Sequence, residues 1–270
     1  MAKKKKKKKD NKRILWLVIV VFAGVVLSHF MQAGNTTQPE HYSNDLAVPA
    51  GSDNQIIVHK GFTLSYNNDT RNPDWVGYEL TDEEVKEAVV QREEDFYCDP
   101  LVRGTQATDE DYRKSGWDRG HIAPAADMKW SKQTMQESFY LSNVSPQNKN
   151  LNRGAWKKLE ELCRDKAELY GKVIIVAGPL FKGKKAKTIG NNKVRVPDAF
   201  FKVLLTYYGD KYHAIGFIFD NKTEKKKLAE YARSIDEIEK ESGFDFFYQL
   251  PDEEEKEIEK TYSTAFWGVL

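Results

Sequence analysis

The residues of this 270-residue chain that could do chemistry together are Asp118-Arg119-Gly120-His121 and, further on, Asn152, Glu160 and Arg164. An imidazole titrates near neutral pH, so His121 could take a proton from a water attacking phosphorus. Asn152 and Glu160 offer a carboxamide and a carboxylate oxygen. Such donors suit Mg²⁺, with Mn²⁺ as the alternative, because Mg²⁺ keeps several waters and takes few protein ligands. Arg119 and Arg164 could bind non-bridging phosphate oxygens as planar forks. The chemistry these residues would support is metal-assisted hydrolysis of a phosphodiester. Taken singly, each has a plainer reading. Asn152 is a good helix cap, and Glu160 and Arg164 are spaced as an ordinary i,i+4 surface pair.

The elements that must position these side chains follow from local pattern. Apolar residues at 155, 156, 159, 162 and 163 recur with a helical period. Pro146 and the Asn-rich run 148–152 supply a loop before that helix. A spacing of four puts Asn152, Trp156, Glu160 and Arg164 on one slowly drifting stripe. Gly120 permits a close backbone approach beside His121, and Pro124 ends any central strand there. Asp118 and Asn143 read as structural rather than reactive.

The ordered motifs Asp118-Arg119-Gly120-His121, Tyr140-Leu141-Ser142-Asn143, Pro146-Gln147 and Leu151 to Trp156, with Glu160, resemble those of the DNA/RNA non-specific endonuclease family. That family includes secreted bacterial sugar-non-specific nucleases and mitochondrial endonuclease G, with a ββα-metal (His-Me finger) site. The similarity runs from about Lys60 to Leu250. It implies His121 as general base, Asn152 as the sole direct protein ligand of Mg²⁺, and Glu160 as the group orienting metal-bound waters. It further implies that Arg119 and Arg164 stabilise the transition state and that a homodimer is open to the chain. One departure stands out: the family carries an arginine two residues before an upstream phenylalanine, whereas Glu94 precedes Phe96 here. Arg92 lies two positions further back, and its part in the site stays open.

The N-terminus adds a second theme. Residues 1–13 hold nine Lys/Arg and one Asp, net +8, so the remaining chain carries −7 of the overall +1. The apolar run from Ile14 to Met31 follows with no Asp, Glu, Lys or Arg. At about 18 residues it is just long enough to span a bilayer. A basic flank before it predicts a cytoplasmic tail at 1–13, an anchor at 14–31 and an extracytoplasmic remainder. Secretion after signal cleavage is the alternative, although Phe30-Met31-Gln32-Ala33 is a poor small-x-small site. Residues 32–54 read as a linker, and the globular domain is expected over 55–270.

A net-negative domain that handles DNA and RNA needs a locally basic groove. The loop 182–195 is the candidate, with Lys185 and Lys187 as substrate contacts. Two cysteines exclude a Cys₄ zinc site, and no His/Cys spacing suggests another. A Cys98–Cys163 disulfide and a pair of reduced thiols with Cys163 buried are both open.

The predicted elements run strands, helix, strands, helix without βαβ regularity. This order favours an α+β fold with a mostly antiparallel central sheet flanked by helices. Strands are expected at 56–58, 62–66, 75–80, 139–141, 173–177, 199–208 and 212–219, with helices at 131–138 and 225–241; 81–91 is open between strand and helix. The acidic run Asp252 to Glu259 is expected to face solvent. The leading function is a membrane-anchored Mg²⁺-dependent endonuclease on DNA and RNA. The alternatives are a tethered nucleic-acid binder without catalysis and a phosphodiesterase on another phosphoester.

Overall fold

The computed structural model of the chain describes residues 44–52, 54–183 and 187–269. Eleven strands occur among them: β1 (Gln55–Val58), β2 (Thr63–Asn67), β3 (Asn72–Thr81), β4 (Asp118–His121), β5 (Val144–Gln147), β6 (Lys172–Leu180), β7 (Thr188–Ile189), β8 (Val194–Arg195), β9 (Ala199–Tyr207), β10 (Tyr212–Asp220) and β11 (Ala232–Arg233). Seven build one sheet in the order β1-β2-β3-β6-β9-β10-β11, every pair antiparallel. The expected α+β fold with an antiparallel central sheet is therefore present.

Both faces of this sheet are covered, which explains why its central strands read as continuous apolar runs rather than alternating ones. Ile175, Phe200, Leu204 and Phe217 point to one face, where they pack with Trp156, Leu159 and Cys163 of the helical layer that carries Asn152 and Glu160. Ile174, Phe201, Val203 and Leu205 point to the other, under helices α4 (Ile235–Ser242) and α5 (Asp252–Lys260). The folded domain starts earlier than the 55 expected. Leu46 and Ala47, in a short 3₁₀ turn from Asn44 to Ala47, are buried on this second face. Gly77 permits their approach, since a Cβ there would collide with the Ala47 carbonyl oxygen.

Three local expectations change. The strand expected at 139–141 does not form: helix α2 (Lys132–Ser138) ends at Phe139, Tyr140 makes one bridge to Tyr97, and Leu141–Asn143 is a 3₁₀ turn. The helix expected at 225–241 is divided. Ala232–Arg233 pairs with Gly216 and Phe217 at the sheet edge, and α4 begins only after Ser234, whose side chain accepts from the Glu237 amide. Segment 81–91 resolves to helix α1 (Asp82–Lys86), closed by a capping box between Thr81 and Glu84. Asp252 to Glu259 form most of α5, largely exposed as expected.

The two cysteines are free. Cys163 is sealed in the core on the long helix α3 (Lys157–Tyr170), while Cys98 is exposed with its thiol 3.8 Å from the Ala107 carbonyl. The disulfide is thereby corrected in favour of two thiols. No helix among the described residues is long and apolar enough to cross a membrane, and the 14–31 run lies outside them.

Candidate active site

Strands β4 and β5 pair antiparallel away from the large sheet, with His121 opposite Val144 and Gly120 opposite Ser145. A Cβ on Gly120 would strike the Gln147 side chain, so glycine is required for this approach. Immediately after His121 the chain is clasped by Asn143. Its Oδ1 accepts from the Ala123 amide at 2.9 Å, and its Nδ2 donates to the carbonyls of Ala123 and Ser138, each at 2.9 Å. Asn143 is structural, and it fixes the turn that aims His121.

After β5 come one turn of α-helix (Lys149–Leu151), a π turn from Asn152 to Trp156 and then α3. Gly154 leaves helical geometry inside that π turn (φ −113°, ψ −106°). Such turns insert a residue into the helical ladder and re-aim the side chains around it. The single stripe expected from a spacing of four is accordingly split. Trp156 turns into the core, fully buried, and its indole N–H donates to the His121 carbonyl at 3.3 Å. Asn152, Glu160 and Arg164 remain on the open side.

There they meet His121 and Arg119 in one cleft of about 430 Å³, together with Arg92, Arg153 and Lys157. His121 is 8% exposed, walled by the rings of Phe139 (centroids 4.8 Å) and Phe96 (5.2 Å). Burial, reinforced by the nearby Arg92 guanidinium, pushes its pKa down to about 3, so the ring is neutral at physiological pH. Its Nε2 is enclosed without a hydrogen-bond partner among the described residues.

Asn152 donates from Nδ2 to Asp118 Oδ2 at 3.2 Å. A carboxylate only accepts, so this bond settles which end of the amide faces Asp118 and leaves the amide oxygen for the cleft. Asp118 is held in turn by Arg153 (Nε–Oδ2 2.9 Å). Glu160 is half-buried, and burial pushes its carboxyl up to about 7 against the pull of Lys202. Among the described residues it makes no hydrogen bond or ion pair. An outward amide oxygen beside an uncommitted carboxyl is the donor set of a hard oxygen-binding cation, and Mg²⁺ fits it.

The arginines are held differently. Arg164 pairs with the fully buried Asp127 (Nη1–Oδ1 2.6 Å), whose other oxygen accepts from the Tyr78 hydroxyl at 2.8 Å. Burial pushes the Asp127 carboxyl upward, while Arg164 and Tyr78 pull it back. Arg119 pairs with Asp109 at 2.6 Å and lies over the rings of Phe96 and Tyr112. Lys187 stands 5.0 Å over Trp117, just before β4, rather than lining the cleft; Lys185 lies outside the described residues.

Sequence reasoning missed Arg153, Lys157 and Asp127 and left Arg92 open. Arg153 and Lys157 adjoin Asn152 and Glu160 on the helical segment and could have been found by extending the stripe sideways. Only its spacing from Phe96 marked Arg92, and nothing local marks Asp127, because contacts from distant segments bring it to the site.

Comparison with known proteins gives this geometry a context. Residues 41–253 match the model of the DNA/RNA non-specific endonuclease family. The chain belongs to that family. Among similar proteins are the mitochondrial nuclease EXOG of Danio rerio and the mitochondrial endonuclease G of Homo sapiens. The first is 39% identical over 69% of this chain and 59% of its own length, the second 38% identical over 71% and 69%. The match thus spans under two thirds of that first relative. A chain in the crystal structure of the EndoG/EndoGI complex is 30% identical and superposes with a TM-score of 0.72, over 81% of this chain and 96% of that one. The fold and the family therefore agree with the expectation drawn from the motifs.

Proposed function

We propose that this chain is an endonuclease that hydrolyses phosphodiester bonds of DNA and RNA with little sequence preference, in the cleft containing His121. The observation that carries this reading is the convergence of His121, Asn152, Glu160 and the arginines on one opening. In it, β4, β5 and the helical segment after them form the ββα-metal unit of the family.

His121 presents a neutral ring to the attacking water and takes its proton. A bound phosphodiester brings negative charge that opposes Arg92 and raises the basicity of the ring. Arg119 and Arg164, joined by Arg92, neutralise charge gathering on the non-bridging oxygens. Arg92 thereby takes, from two positions further back, the role that Glu94 cannot fill. Asn152 would hold Mg²⁺ (or Mn²⁺) directly, and Glu160 through its waters. When bound, the cation supplies Lewis-acid stabilisation of the leaving oxygen and of phosphorus. Contacts of this kind address phosphate and sugar, which carry no direct base information, so low sequence specificity follows. Lys187 extends the basic surface for the polynucleotide beyond the cleft, and Lys185 is assigned the same role from the sequence alone.

Residues 14–31 are read as an uncleaved anchor that leaves the nuclease domain extracytoplasmic. The apolar run behind a polylysine flank supports this reading. Protease protection of the full chain in sealed membrane vesicles tests it.

For the activity, the full chain is incubated with supercoiled plasmid and with RNA, in Mg²⁺ or in EDTA, beside His121→Ala. Metal-dependent degradation of both substrates is expected from the wild type. The variant should lose about 10²–10⁴-fold in rate while folding normally. Wild-type-like turnover in the variant would sink the assignment of the base, and a folded wild type that binds but leaves both substrates intact would favour a binder.

A further inference from the structure

Within the apolar run of β9, Ala199 to Tyr207, a single charge occurs: Lys202. It is fully buried, and its Nζ has no hydrogen-bond partner among the described residues. An ammonium in that position is costly unless opposite charge or a ring face compensates for lost water. Both compensations are at hand. The Nζ lies 4.4 Å from the centre of the Trp156 indole. Its charge also acts on the carboxyls of Glu160 and Asp127, lowering the pKa of each against burial.

Trp156 closes the π turn that begins at Asn152 and stands one helical turn before Glu160. Its indole N–H is also the bond to the His121 carbonyl. The ring that Lys202 grips is thus common to both halves of the site. Phe200 and Phe219 meet the same ring at 5.6 and 5.8 Å, so it is enclosed by the sheet from which Lys202 projects.

We propose that Lys202 is a positioning residue for phosphodiester cleavage: seated on Trp156 beneath the cleft, its ammonium fixes the π turn that bears Asn152 and leads into the helix bearing Glu160, and the spacing of that turn from His121. The proposal rests on reading the cleft as the nuclease site. The competing account is a lysine whose stem merely fills the core.

The full chain separates these accounts with Lys202→Met, which keeps length and packing without the charge. Thermal melting should be unchanged or raised, and the KM for plasmid unchanged, while kcat falls tenfold or more. In a Trp156→Phe background, which removes the indole N–H and weakens the ring's hold on a cation, Lys202→Met should cost less than twofold further. A kcat within twofold of wild type, a kcat loss that merely tracks lost folding, or effects that multiply fully with Trp156→Phe would each overturn the proposal. Should Lys202→Met not fold, Lys202→Gln decides, which removes the charge and leaves the Trp156–His121 bond in place: lowered kcat at constant KM and unchanged melting supports the proposal, and unchanged kcat overturns it. Absence of cleavage by the wild type would instead remove the nuclease reading itself.

Discussion

Asp127 offers the sharpest test of how the cleft is supported. Its side chain is completely buried, and its two oxygens hold Arg164 at 2.6 Å and the Tyr78 hydroxyl at 2.8 Å. Asp127→Ala strands both partners. Breaking a buried ion pair from one side costs about 3–5 kcal/mol. Arg164 keeps 21% side-chain exposure and can recover some water, which places the loss near the lower end. A domain of this size loses roughly 2–4 °C in melting temperature per kcal/mol, so Asp127→Ala should melt roughly 6–12 °C lower. Asp127→Asn keeps an acceptor for Tyr78 or Arg164 and should cost about 1–3 kcal/mol. Scanning calorimetry measures both, and plasmid cleavage at 25 °C, where each variant is folded, isolates the effect on Arg164. There, Asp127→Ala and Arg164→Ala should be strongly non-additive, because each removes the same aimed guanidinium. An Asp127→Ala protein melting within 2 °C of wild type with normal kcat would refute the idea that this buried pair holds the arginine in place.

Other perturbations have equally definite outcomes. Burial raises the Glu160 pKa from 4.5 to about 7 in the metal-free fold, so folding takes up a proton there. The contribution of Glu160 to metal-free stability should therefore fall as pH rises from about 4.5 to 7 and level off above. Because buried His121 acts in the opposite sense, it is read as the difference between wild type and Glu160→Gln in urea titrations, and a pH-independent difference would refute it. Mg²⁺ binding should release a proton near pH 6, read by calorimetry in buffers of different ionisation enthalpy; equal heats would contradict it. Gly77→Ala sets a Cβ against the Ala47 carbonyl and should destabilise by about 1–3 kcal/mol, with protease nicking before residue 50 appearing first. Lys187→Ala should leave kcat intact but lower the slope of log affinity for DNA against log salt by about 1, as expected for one lost phosphate contact. An unchanged slope would assign Lys187 to Trp117 alone.

Residues that interact with close neighbours in sequence were the legible ones. The runs 173–177 and 199–208 announced buried strands, and the antiparallel order followed from the absence of βαβ spacing. His121, Asn152 and Glu160 could be named from motif and helical period, and they do share a cleft. The period failed at Trp156, because a π turn at Gly154 rotates the indole inward and no propensity rule at that position signals one. It failed again at 225–241, where pairing with β10 won over helical periodicity. Long-range partners were illegible: nothing near Asp127 in sequence announces Arg164 or Tyr78. Lys202 was different. A lone charge in the run Ala199 to Tyr207 was visible in the sequence, and only its ring partner had to be supplied by the fold.

The free state of the two cysteines has a practical and biological consequence. A core closed by van der Waals contact around Cys163 draws nothing from an oxidant, so glutathione poise is irrelevant to whether this domain matures. The same fold would assemble in a reducing or an oxidising compartment. Because Cys163 is sealed, Cys98 is the one thiol of the chain open to a maleimide. It lies two residues from Phe96, whose ring flanks His121. A single fluorophore attached to the native sequence would therefore sit two residues from the ring that flanks His121, without any engineered cysteine.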